Sequence, residues 1–172
     1  GVGGALRMNA GAFGQEIEQV TVSVSGFRRD GTPFSADRHK INFDYRRVPE
    51  LDRVVITSAI FQFTEKNSAA LRARSEDILA LRAGKQPLNY PSCGSVFKRP
   101  AGHYAGALIE ETGLKGKRIG GAMISRKHAG FILNVDNAKA VDVYALIQLI
   151  EARVLNRFGV QLEREVKLIG EF

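Results

Sequence analysis

A serine sits in the glycine- and proline-bounded stretch Cys93-Gly94-Ser95-Val96-Phe97-Lys98-Arg99-Pro100, and Glu165 follows seventy positions later in Leu162-Glu163-Arg164-Glu165-Val166-Lys167. Together they could form a proton-transfer site. A hydroxyl near a cation such as Lys98 gives up a proton more readily, and a carboxylate can share the charge. Each residue also has a plainer reading: a serine after a glycine in a loop is commonly a turn or cap residue, and a glutamate on a strand face is commonly a solvated charge. Arg46, in Phe43-Asp44-Tyr45-Arg46-Arg47, is by the same standard a surface arginine, although an arginine beside a tyrosine suits a carboxylate clamp. Residues Ser125-Arg126-Lys127-His128-Ala129-Gly130-Phe131 fit either a basic turn between strands or a phosphate contact, and spacing does not separate the two.

Other chemistries find less support. No Gly-x-Ser-x-Gly elbow is present, and His39, His103 and His128 have no evident tie to Ser95, which argues against a Ser-His-Asp hydrolase. The opening GVGGALRMNAGAFGQ holds five glycines but matches neither the dinucleotide fingerprint nor a phosphate loop ending in Gly-Lys-Ser/Thr. No His/Cys/Asp/Glu group has metal-ligand spacing, so no metal is expected.

Several elements must position these residues. The start of the chain reads as loop, its small residues allowing close approach of backbone. Val20, Val22 and Val24 alternate with Thr21, Ser23 and Ser25 as in a half-buried strand, and Asp30-Gly31 marks a hairpin turn. The nearly continuous apolar run from Arg53 to Thr64 predicts a strand covered on both faces. Asn67-Ser68 caps a helix ending at Gly84, and 85–100 reads as a loop between two units. A short helix near 104–112, strands at 121–125 and 129–134, a long helix from about Asn137 to Gly159 and a last strand at 160–169 complete the chain. In that strand Val160, Leu162, Val166 and Leu168 share one face, while Glu163, Glu165 and Lys167 share the other. The mixture predicts an α+β fold.

Composition sets the outer bounds. With 172 residues, 44% of them hydrophobic and 25% charged, the chain can bury a sizeable core, and Cys93 is its only cysteine, in keeping with a reducing compartment. No apolar run reaches the ~20 residues of a membrane span, so a cytoplasmic protein without membrane insertion is expected. A net charge of +7 and a pI near 9.8 imply an anionic partner. The cations come as scattered pairs without interleaved aromatic residues, a pattern that favours phosphorylated small molecules over nucleic acid.

Five stretches in order, GVGGALRMNAGAFGQEI at 1–17, FDYRR at 43–47, GSVFKRP at 94–100, GLKGKRIGGAMISRKHAGFILN at 113–134 and FGVQLEREVKLIG at 158–170, closely resemble one family. It is the UDP-N-acetylenolpyruvoylglucosamine reductases, or UDP-N-acetylmuramate dehydrogenases, of the short-form type. The resemblance implies an oxidoreductase of peptidoglycan synthesis, and hence of cell-wall biogenesis, cell shape and division. Its FAD takes hydride from NADPH and passes it to the enolpyruvyl group of a UDP-sugar. It further implies Ser95 as the general acid, with Arg46 and Glu165 flanking the enolpyruvyl carboxylate. Lys85, Lys98, Arg99, Lys127 and His128 would contact substrate; Gly3, Asn9, Ala10, Gly11, Ala12, Arg82 and Lys167 would contact FAD. Two positions depart from a common family pattern, which has Asn where this chain has Arg99 and Arg where it has Lys167.

The same resemblance divides the chain into the latter part of a flavin-binding domain at 1–86, a small substrate-binding domain with a mainly antiparallel sheet at 87–158, and a last strand at 159–172 returning to the flavin domain. A further flavin-binding region would precede Gly1, and the chain would then be a fragment. The alternative is a truncated basic module without turnover that recognises a UDP-sugar or nucleic acid.

Overall fold

A computed structural model describes residues 1–170. The fold is α+β with antiparallel sheets, and it separates into two compact units, Gly1–Ser75 and Glu76–Phe172. Among the described residues no helix is long and apolar enough to cross a membrane.

The first unit opens on a helix, α1 (Val2–Arg7), where the sequence reads as loop. Glycine is a poor helix former, and so short a helix is marginal alone; here Leu6 is fully buried and anchors it. Arg7 secures its end, donating from Nε to the Leu51 carbonyl at 3.1 Å and from its terminal nitrogen to the Val54 carbonyl. A two-rung hairpin, β1 (Gly11–Ala12) and β2 (Gln15–Glu16), leads into a sheet of order β4-β3-β5, formed by β3 (Thr21–Arg28), β4 (Pro33–Asp37) and β5 (Val54–Phe61). The expected Asp-Gly turn joins β3 to β4, with Asp30 Oδ1 accepting from the Thr32 amide at 3.0 Å.

Two expectations for this sheet fail. A register shift between Thr21 and Ser23 breaks the valine alternation, so that Thr21 and Val24 are buried while Val22 is exposed. Nor is β5 covered on both faces: Val55 and Ile60 are 62% and 61% exposed. Leu6, Val24, Phe34, Ile41, Val48, Leu51 and Val54 form this unit's core.

Helix α2 (Ser68–Lys85) runs across the division. Asn67 caps it as expected, its Oδ1 accepting from the Ala69 and Ala70 amides at 2.9 and 3.2 Å. The helix continues through Gly84, one residue beyond the predicted end, and none of its residues is buried.

The second unit has a sheet of order β6-β9-β8-β7: β6 (Ser92–Ser95), β7 (Arg118–Ile119), β8 (Ala122–Ile124) and β9 (Phe131–Asn134). β6 therefore lies inside the stretch predicted as loop. Helix α3 (Ala105–Glu111) gives way to Gly113 at φ +75°, and α4 (Ala140–Phe158), which starts three residues later than predicted, is capped by Gly159 at φ +68°. Among the described residues fifteen are buried in this unit's core, Val96, Ile109, Ile124, Leu146, Ile147, Ile150 and Val154 among them.

The predicted last strand is absent. Residues 160–170 contain one isolated bridge, Arg164 to Phe97. The apolar alternation holds as far as Val166, since Leu162 is buried and Val160 and Val166 pack on the core. It then lapses, with Leu168 and Ile169 exposed. The final two residues of the 159–172 segment lie outside the described residues.

Candidate active site

Ser95 is the last residue of β6 and pairs with Phe131 of β9, a strand end where a loop was expected. Gly94, at φ +81°, adopts the left-handed backbone that leads into it. The following residue joins two segments far apart in sequence. The Val96 amide donates to the Gly130 carbonyl at 3.0 Å, and the Val96 carbonyl accepts from the Glu165 amide at 2.9 Å. A further bond from the Lys98 amide to the Glu163 carbonyl, 2.8 Å, keeps residues 163–165 alongside 96–98. Ser95 and Glu165 are thus neighbours through main chain. Ser95 is exposed, and Glu165 is half-buried and engaged in an interaction within the protein.

The charges at this seam are matched. The Lys98 ammonium pairs with the Glu163 carboxylate, so the cation expected to acidify Ser95 is partly neutralised by a neighbour. Arg164 grips Glu151 of α4 with two bonds of 2.6 Å, and its guanidinium lies 5.2 Å from the Tyr144 ring centroid. The paired carboxylate pushes the Arg164 pKa above its ordinary value.

On the same unit, Arg99 stacks 4.0 Å from the centroid of Tyr104. An open cavity of about 600 Å³ is lined by Gln86, Tyr90, Met123, Arg126, Lys127 and Leu133, among others. Its volume and its mixture of apolar walls with two cations suit a small anionic ligand. The Lys127 ammonium donates to the Ala83 carbonyl at 2.5 Å, Arg82 holds Gln86 at 2.9 Å, and Lys85 is exposed at the end of α2. Lys167 is exposed as well. His128 is half-buried; burial, reinforced by Lys115, lowers its pKa.

Arg46 belongs to the first unit and occupies the third position of a tight turn, closed by bonds of 2.9 and 3.2 Å between Asp44 and Arg47. Its φ of +55° is one that glycine ordinarily adopts, and such strain costs about 1–3 kcal/mol. The turn aims the guanidinium at the Asn9 and Gly11 carbonyls, 3.3 and 3.5 Å away, with the Tyr45 ring centroid at 5.0 Å. Arg46 and the 9–12 stretch therefore form one construction. Asn9, 1% exposed and at φ +40°, commits its side chain to the fold: Nδ2 donates to Glu16 at 2.8 Å, and Oδ1 accepts from the Glu18 amide at 3.3 Å. Ala10 and Ala12 are exposed, Gly11 is half-buried, and Gly3 lies within α1.

Several supporting residues escaped the sequence reading. Ser125 is buried and accepts from the Lys127 and His128 amides at 3.1 Å each. Glu16, Glu151, Glu163 and Arg164 hold the segments described above. Ser125, Glu16, Glu163 and Arg164 lie within stretches that the sequence singles out, without a role of their own there; Glu151 left no trace.

Residues 86–169 match the family model of the UDP-N-acetylenolpyruvoylglucosamine reductase C-terminal domain. The chain is 48% identical to a UDP-N-acetylenolpyruvoylglucosamine reductase of Pediococcus pentosaceus, over 99% of the chain and 57% of that protein. For the corresponding reductase of Enterococcus faecalis the identity is 47%, over 99% of the chain and 57% of the relative. In structure it is similar to UDP-N-acetylenolpyruvylglucosamine reductase from Thermus caldophilus, with a TM-score of 0.79 and 33% identity over 95% of this chain and 59% of that one. The chain spans a little over half the length of these relatives.

Proposed function

We propose, from the match of residues 86–169 to the reductase C-terminal domain and the likeness to reductases over nearly all of the chain, that it belongs to the UDP-N-acetylenolpyruvoylglucosamine reductase family and takes part in reducing the enolpyruvyl ether of UDP-N-acetylglucosamine to UDP-N-acetylmuramate in the cytoplasm. The observation that carries the reading is the main-chain link that sets Glu165 beside Val96, one residue from an exposed Ser95.

In the reaction, hydride adds to the methylene carbon and a proton to the carbon bearing the carboxylate, leaving a lactyl ether. Ser95 is the proton donor. Arg46 and Glu165 flank the carboxylate, where negative charge grows as the enol forms; a donor aimed at such charge is worth about 3 kcal/mol. Lys85, Lys98, Arg99 and Lys127 face the diphosphate and sugar, and His128 can reach substrate only through Nε2, because Nδ1 already accepts from the Gly130 amide. This reading takes residues 1–86 as the latter part of a flavin-binding domain and 87–158 as a substrate-binding domain; the described part of 159–172 lies against the latter, through Val96, Lys98 and Glu151.

The cofactors in this reading are FAD and NADPH. The residues of the 9–12 stretch fit a flavin: Ala10 and Ala12 are exposed and carry only methyl groups, so a ring can lie against them without displacing a side chain. Gly3, Asn9, Gly11, Arg82 and Lys167 complete the set assigned to it. Bound FAD would supply the hydride, drawn from NADPH; the chain's own residues orient the acceptor and provide the proton.

Ser95→Ala tests the assignment. In the protein as it is made in the cell, reduction of the UDP-sugar should slow by about 10²–10⁴-fold while flavin reduction by NADPH is unchanged. Equal loss in both half-reactions would refute the role given to Ser95.

A further inference from the structure

Ser95 is an exposed strand end, and something must hold that end in place. The turn opposite it, residues 125–131, is tied together from inside. The buried Ser125 hydroxyl accepts two amides at its start, and the Phe131 amide donates to the His128 carbonyl at 3.0 Å. The Gly130 amide turns inward and donates to His128 Nδ1 at 3.1 Å. The carbonyl of the same Gly130 accepts from the Val96 amide, whose own carbonyl accepts from Glu165. A continuous run of hydrogen bonds therefore leads from the His128 ring through Gly130 and Val96 to the Glu165 main chain.

The ring itself is fixed by packing. It meets the edge of Phe131, the residue paired with Ser95, with centroids 5.0 Å apart and planes at 72°. Gly106 of α3 also lies close to it: a Cβ added there would come to 3.0 Å from the ring. The charged groups facing it are Lys115 and Glu110, which pair with each other at 2.5 Å, while Lys127 of its own turn reaches instead to Ala83. Nδ1 is occupied as the acceptor of the Gly130 amide, and burial, the largest influence, favours the neutral ring against the opposing pull of the His128 main chain and Glu110.

We propose that His128 is a positioning residue: its neutral ring, accepting at Nδ1 from Gly130 and wedged between Gly106 and Phe131, sets the end of β9 that places Ser95 and Glu165. The proposal rests on the reading of Ser95 as proton donor. It differs from a substrate contact, which would work through Nε2 and strengthen binding.

Two substitutions separate these roles. Asparagine can present its side-chain oxygen near the place of Nδ1; phenylalanine keeps the ring and loses the acceptor. In the protein as it is made in the cell, His128→Phe should lower kcat for UDP-sugar reduction by about 10²-fold with little change in KM, as misplacement of a reacting group does. His128→Asn should recover most of that loss. Amide hydrogen exchange, read without substrate or cofactor, should accelerate at Gly130 and Val96 in His128→Phe and not in His128→Asn.

A loss confined to KM, or an asparagine variant as impaired as the phenylalanine one, overturns the proposal. So does unchanged exchange at Gly130 and Val96. Altered exchange with full turnover overturns it too, since the turn would then be held by His128 without bearing on Ser95. If the unmodified protein reduces no UDP-sugar, it is the reductase reading that fails, and exchange still decides whether His128 orders the turn.

Discussion

The two units fix their candidate groups by different means. In the second, Ser95 and Glu165 sit on main chain that is hydrogen-bonded on both sides and backed by a core of fifteen buried residues among those described. In the first, Arg46 is held by a left-handed turn and two carbonyls of a loop, which itself depends on the buried amide of Asn9. One unit obtains precision from packing, the other from a polar hub and a strained residue. Their tolerance of substitution should differ accordingly.

The sharpest way to strain this contrast is to open a cavity under the second unit's seam. Ile150 of α4 is buried in the same cluster as Val96 and Leu162. Ile150→Ala should cost about 2–5 kcal/mol, read as a lower urea midpoint. It should also accelerate exchange of the Glu165 amide, because the main chain there is held by what lies beneath it. An unchanged midpoint would mean that packing does not fix this half of the site.

How far the sequence disclosed each half follows from the same physics. The long helix, its glycine cap and the Asp-Gly hairpin were legible because short-range rules govern them: apolar periodicity, a left-handed cap and a turn dipeptide. The helix at Val2–Arg7 was not, since glycine-rich sequence disfavours helix locally and it is the burial of Leu6 that compensates. The last strand was read from real alternation at 160–166, but a strand also needs partners, and pairing of this segment is confined to the short stretch after Ser95. Local sequence left Ser95, Glu165 and Arg46 as ordinary turn and surface residues; five ordered motifs singled them out. The acceptor role of His128 and the pairing of Lys98 with Glu163 could not be read, because both are facts of orientation rather than of spacing.

The polar hub of the first unit is open to a smaller test. Asn9→Ala removes the acceptor of the Glu18 amide and the donor to Glu16 at a buried position, which should cost about 1–3 kcal/mol. Because Arg46 reaches the carbonyls of Asn9 and Gly11, the variant should also raise KM for the carboxylate-bearing substrate if Arg46 is its clamp. Asn9→Asp keeps the acceptor for Glu18 but sets a second carboxylate against Glu16 at a buried position, and near neutral pH it should be at least as destabilising as the alanine variant. Equal stability of all three would show that the loop needs no hub, and the contrast between the units would collapse.

The smallest expected effect concerns Arg164, where the second unit borrows the first unit's method. Its guanidinium ties the 163–166 segment to α4 through a two-pronged bond to Glu151. Both side chains are partly exposed, at 30% and 26%, so the pair lies nearer the surface limit of about 1 kcal/mol than the buried one. Arg164→Lys keeps the charge but cannot reproduce the planar fork, and it should therefore lose much of that stabilisation. If packing governs this half of the site, kcat in Arg164→Lys should stay within about threefold of the unmodified protein, a barrier change near 0.7 kcal/mol. The reason is that Leu162 and Val166 still rest on the core and the Glu165 amide still reaches Val96. A tenfold or greater fall in kcat without matching loss of stability would place the control of Glu165 in the ion pair, and both units would then depend on polar hubs.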